Sequence, residues 1–137
     1  MASKNNLETI DTNILLRLIL SDVPSQTDKV IRLLVDESRI FVIPDVVFCE
    51  AIHILTKNIG YPRNQAAEEI TRVLSAFYNL SYDSHIVTEV FHDYVTHPAL
   101  SFEDCYLAYY AKKNNATPLW TFDQKLAKDL PTVKELE

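Results

Sequence analysis

Residues 39–59 read RIFVIPDVVFCEAIHILTKNI. Arg39 to Ile43 is a run of β-branched and aromatic residues, and Pro44 closes it, so the run predicts a short strand. From residue 45 to 59 the apolar positions recur with helical period. Val46, Glu50 and Ile54 are spaced by four and lie along one helical row. Val47, Ala51 and Leu55 extend the apolar side of that row. Glu50 is therefore expected on or beside a buried face. An unpaired buried carboxylate is costly, so it needs a cation, a basic partner or a water-filled cleft. An ordinary buried ion pair satisfies the same pattern.

The same alternation continues on both sides. Residues 7–11 predict a strand ending at Asp11, and 12–20 (TNILLRLIL) a helix. A second helix is expected from the Val23-Pro24 turn to about Ser38. Beyond Gly60, a helix stop, residues 63–78 predict a helix and Leu80 to Tyr82 a short strand. Residues 84–96 and 102–114 predict two further helices. Pro118 to Phe122 reads as a buried strand, 123–130 as a short helix and 132–136 as an edge strand. Strands separated by helices imply an α/β fold, with a central parallel sheet flanked by helices on both faces. Ligands of such sheets sit beyond the carboxyl ends of the strands. Asp11 and Asp123 both follow apolar strands, where an active site is expected.

Each acid also has a structural reading. Asp11 in ETIDTN suits a helix N-cap, although Thr12 or Asn13 could cap instead and leave Asp11 free. Asp104 precedes Leu107, Ala108 and Ala111 at helical spacing, which puts it on an apolar stripe. Ser101-Phe-Glu-Asp104 also matches a capping box. Glu103 points about 100° away and is expected to be exposed, as an accessory acid at most. Asp123 suits an N-cap for the last helix, and Thr121 is positioned to hydrogen-bond a ligand carboxylate or a metal-bound water. Four carboxylates gathered at about 4 Å repel by roughly 1–4 kcal/mol per pair. Such a group either raises a pKa or binds hard cations, and oxygen-only ligation suits magnesium or manganese.

Composition bounds the rest. A chain of 137 residues fits one domain of 1–137 and can bury a core without disulfide or structural metal. Apolar residues at 47% and charged residues at 23% are ordinary for a soluble protein. No apolar run approaches the roughly 18 residues that span a bilayer, and MASKNN does not read as a signal peptide, so the expected location is the cytoplasm, with no membrane partner. Cys49 and Cys105 show no zinc spacing and read as two semi-buried free thiols, with a disulfide between them as the alternative. With one glycine, no phosphate-binding glycine loop is possible. The net charge of −6 argues against broad electrostatic grip on nucleic acid. It leaves room for an acidic metal site, whose bound cations offset the charge locally.

The order IDTN, then Pro44 followed by Glu50, then SFEDCYLA, then TFD resembles the PIN-domain nucleases, closest to the toxins of VapBC-type toxin–antitoxin pairs. The resemblance covers nearly the whole chain. It implies a PIN-like fold and a Mg2+- or Mn2+-dependent endoribonuclease. Asp11, Glu50, Asp104 and Asp123 match the family's four acids, and Thr12, Asn13 and Thr121 its supporting polar positions. It also implies a homodimer and a small antitoxin partner. Asp11, Glu50 and Asp104 would then hold the main cation, with Asp123 orienting water or helping a second. KKNNATPLWTFD departs from the pattern in lacking a glycine before the last acid, and Asn114 or Asn115 can supply that turn. The Phe and Cys flanking the third acid are bulkier than is usual.

RNA needs a positive rim, for which Arg17, Lys57, Arg63, Arg72, Lys112, Lys113, Lys125 and Lys128 are candidates. His53, one turn after Glu50, could edge the site. His85, His92 and His97 show no ligand spacing. Tyr106, Tyr109 and Tyr110 suit interhelical or dimer packing better than base stacking. The competing readings are a non-catalytic PIN-like binding module and a phosphoryl-accepting receiver domain. The receiver needs an early acidic pair and a lysine on a late strand, and residues 118–122 contain no lysine.

Overall fold

A computed structural model describes residues 7–137. The chain divides into two compact units, the first ending at Asp83 and the second spanning Ser84–Glu137. In the first, β1 (Leu7–Thr9), α1 (Thr12–Leu20), α2 (Pro24–Leu34), β2 (Ile40–Val42), α3 (Asp45–His53), α4 (Arg63–Ala76) and β3 (Leu80–Ser81) follow one another. The three strands form a parallel sheet in the order β1-β2-β3, with Glu8 opposite Phe41 and Phe41 opposite Leu80. Parallel pairing requires helical crossovers, which the intervening helices supply. Leu15, Phe41, Ile43, Phe48, Leu55 and Ile70 are almost wholly buried and form the core of this unit.

Local chemistry sets where these elements stop. α2 ends at Leu34, four residues short of the expected Ser38. The Asp36 carboxylate accepts from the Ser38 N–H (3.1 Å) and hydroxyl (2.6 Å), which turns the chain out of the helix. α3 runs on through a π-helical turn, Ile54–Ile59, to Gly60. Gly60 has φ of 91°, a conformation a Cβ would strain although there is room for one.

Asn79 is the buried polar residue that ties this unit together. Its Nδ2 donates to the carbonyls of Leu34 (2.9 Å) and Arg39 (3.2 Å), joining the end of α2 to the start of β2. Its own carbonyl accepts from Phe41 N–H at 2.9 Å. Asn79→Ala keeps that backbone bond and orphans the buried carbonyls. We expect a loss of about 1–3 kcal/mol in urea denaturation. A loss below measurement error would show that water takes over the lost bonds.

In the second unit, a π-helical turn (Ile86–Val90) leads into α5 (Phe91–Thr96), followed by α6 (Phe102–Lys113), β4 (Leu119–Thr121), α7 (Gln124–Asp129) and β5 (Val133–Glu135). Phe102 packs edge-on against Phe91 (5.8 Å) and Tyr94 (5.6 Å). β4 and β5 pair in parallel, Leu119 opposite Val133, so the tail is a strand as expected. β4 is not the buried strand that its apolar composition suggests. Leu119 and Thr121 are half-buried and Trp120 is 58% exposed, because alternate residues of a strand face opposite sides and the Trp120 side is uncovered. Cys49 is a half-buried thiol and Cys105 a buried one. No helix among the described residues is long and apolar enough to cross a membrane.

Candidate active site

Asp11 stands at the β1-to-α1 junction with extended backbone (φ −94°, ψ −179°). Its Oδ1 accepts from Ile14 N–H at 3.1 Å. Asp11 is therefore the cap of α1, and neither Thr12 nor Asn13 replaces it. Thr12 is buried and Asn13 exposed. Capping occupies only Oδ1, and Oδ2 has no hydrogen-bond partner among the described residues.

Glu50 departs from its expected place. The buried residues of α3 are Val47, Phe48, Ala51 and Ile52, with Leu55 beyond. Val46 is 59% exposed, and Glu50 is exposed with it. Each helical residue advances about 100°, so a row one position away from the core row falls on its margin. Burial therefore does not demand a partner for Glu50. The carboxylate makes no hydrogen bond or ion pair with the described residues. α1 and α3, which carry these two acids, pack against each other.

In the second unit, the capping box at α6 is formed. Asp104 N–H donates to Ser101 Oγ, and Ser101 N–H to Asp104 Oδ2, both at 3.1 Å. Ala108 and Ala111 are buried but Leu107 is 46% exposed, so Asp104 lies half-buried at the edge of the apolar stripe. Glu103 is exposed, as expected. Asp123 caps α7, its Oδ1 accepting from Lys125 N–H (2.9 Å) and Leu126 N–H (3.2 Å). The Thr121 Oγ1 accepts from Asp123 N–H at 3.0 Å and holds the strand-to-helix turn, a bond that does not use its O–H donor. α6 and α7 each pack on β4.

Asp11, Asp104 and Asp123 thus share one arrangement. One carboxylate oxygen accepts from backbone N–H at a helix N-terminus. The other oxygen is uncommitted among the described residues. In that same set no three His, Cys, Asp or Glu side chains gather closely enough to hold a metal ion together.

A PIN-domain family model matches residues 9–129. This chain belongs to the PIN-domain family. No curated protein matches it. PIN domains are typically metal-dependent nucleases, and the matched span contains all four acids.

The basic residues expected to meet RNA differ in how far other side chains already engage them in this PIN domain. Arg17 pairs with Asp22 at 2.9 Å, Arg72 with Glu69 at 2.8 Å, and Lys112 with Glu89. Arg63 opens α4. Lys57, Lys125 and Lys128 are exposed and make no ion pair with the described residues. His53 is exposed on the same helix as Glu50. Tyr109 is buried and Tyr110 half exposed, each with its ring 6.3 Å from that of Tyr106, so Tyr109 serves packing. The sequence reading missed the recess beside Tyr109, where His85 and Glu89 join Lys112 and Lys113. Its members come from two separate segments, 85–89 and 109–113, and no motif links them.

Proposed function

We propose that this PIN-domain protein is an endoribonuclease that uses Mg2+ or Mn2+ and acts as the toxin of a toxin–antitoxin pair. The observation that carries the nuclease reading is the set of three capping aspartates, each with one uncommitted oxygen, together with the unpaired Glu50. The donor set is all oxygen. Magnesium needs only one or two protein carboxylates beside its waters and a substrate phosphate, so the set fits that ion or manganese. Asp11, Glu50, Asp104 and Asp123 are the residues that would hold it. When bound, the cation supplies an activated water and offsets charge that builds up on the phosphate.

The chain's own contribution is preorganisation. The cap bonds restrict the rotamers of Asp11, Asp104 and Asp123, so their second oxygens need little further ordering. The Thr121 hydroxyl fixes the turn that carries Asp123. Thr12 and Asn13, which follow Asp11 in α1, would be supporting polar positions by the resemblance to PIN-domain nucleases. Lys57, Lys125 and Lys128 are available to phosphates.

RNA as substrate, the antitoxin and the homodimer rest on the resemblance to VapC-type toxins, and the cytoplasmic setting on the soluble character of the sequence. The test is incubation of purified protein with a mixed tRNA and rRNA pool in Mg2+, in Mn2+ and in EDTA. We expect discrete cuts with either metal and none in EDTA. Intact RNA in both metals, from protein shown to be folded and free of antitoxin, would leave a non-catalytic binding module. Arrest of growth on expression, relieved by Asp11→Asn, is the result expected of a toxin.

A further inference from the structure

At the far end of α6 from Asp104, a recess of about 360 Å³ is lined by His85, Glu89, Tyr109, Lys112 and Lys113. All five belong to the second unit. The imidazole of His85 lies over the Tyr109 ring, with centroids 6.1 Å apart and planes 19° from parallel. Tyr109 is buried, whereas His85 is exposed. The pair is a two-ring stack whose outer ring is open to solvent. Lys113 Nζ sits 5.9 Å from the centre of the same Tyr109 ring, and Lys112 is paired with Glu89. Two lysines and one carboxylate thus line the recess, in a chain of net charge −6.

Ordinary structural roles cover part of this. Lysines in the last turn of α6 offset the helix dipole, and Tyr109 fills the core. Neither role accounts for an exposed imidazole stacked on Tyr109 in a recess that two lysines also line. A flat ring next to cations matches the two halves of a nucleotide: the base stacks and the phosphate pairs. A volume near 360 Å³ suits one such unit.

The geometry points to a nucleotide-binding subsite for single-stranded RNA, with a base stacked on His85 and a phosphate held by Lys113 and by Lys112 in exchange with Glu89. This rests on the reading that RNA is the substrate. Lys113 lies nine positions after Asp104 in α6, a rise of about 13.5 Å along the axis. Single-strand-binding modules commonly cover about 4–16 nucleotides, so a strand seated here reaches the Asp104 end of the helix. The subsite would set the register of the RNA and take no part in bond cleavage.

The test is binding of a fluorescently labelled RNA hexamer to the full chain in EDTA, read by anisotropy across a salt series. His85→Ala and Lys113→Gln are each expected to weaken binding about five- to tenfold. His85→Phe, which keeps a stacking ring, is expected to retain it. Lys113→Gln should also reduce the slope of log affinity against log salt by about 0.7, and His85→Ala should leave that slope unchanged. Wild-type affinity in both His85→Ala and Lys113→Gln would overturn the subsite, as would absence of any RNA binding by the parent protein. Cleavage of a long RNA in Mg2+ by the same preparations keeps the two readings apart. Cleavage that persists with unaltered binding overturns the subsite alone, and loss of both in the parent protein overturns the ribonuclease reading with it.

Discussion

Asp11→Asn should lower metal-dependent cleavage by about 100-fold or more while moving the melting temperature by only a few degrees. The two effects separate because the carboxylate has two tasks on two oxygens. Its Oδ1 accepts from Ile14 N–H and caps α1. Asparagine caps about as well as aspartate, so an amide oxygen can take over that bond. What is lost to folding is the attraction between a charge and the helix N-terminus, about 0.3–1 kcal/mol. What is lost to catalysis is an anionic donor for the cation. Even partners that merely orient metal ligands are worth about 10–100-fold, and a direct ligand is expected at or above that range. Asp11→Ala is the poorer experiment, because removing the cap adds roughly 1 kcal/mol of instability. Cleavage at the parent rate by folded Asp11→Asn protein would remove Asp11 from the site. A large drop in melting temperature would show that its charge serves the fold first.

The second large effect falls on stability. Phe48 is fully buried on α3, and its ring lies 6.0 Å from that of Tyr82 at 59°. Phe48→Ala removes the ring from the centre of the first unit and leaves a cavity that backbone relaxation fills only in part. The expected cost is about 3–5 kcal/mol. Against a typical total of about 5–15 kcal/mol, that is a large share of the stability. For a chain of this size the melting point should fall by roughly 10–20 °C. Urea denaturation of the full chain measures the loss directly. A cost under about 1 kcal/mol would mean that α3 closes over the void. Because Glu50 lies on the same helix, this variant also separates fold from chemistry: cleavage should recover on cooling, whereas that of Asp11→Asn should not.

Most elements were legible because their signals are local. The run of β-branched residues before Pro44 forms β2, and Pro24, Gly60 and Ser101 mark helix ends that the structure keeps. Capping by Asp11, Asp104 and Asp123 was legible for the same reason, since a cap involves residues three apart or fewer. The end of α2 was missed, because it depends on a side-chain turn at Asp36 and on Asn79, which reaches back from 45 residues along the chain.

By itself, the sequence determined the α/β class, the order of strands and helices and the positions of three carboxylates at strand ends and helix starts. All of these follow from periodicity and short-range hydrogen bonding. Only the tertiary structure decided which side of each helix is covered. It put Glu50 on an exposed margin and Trp120 on an open face, and it brought His85 over Tyr109 from 24 residues away. A periodic pattern says that one face of a helix is apolar, but where burial stops depends on which neighbours pack against it, and those are chosen by contacts distant in the chain.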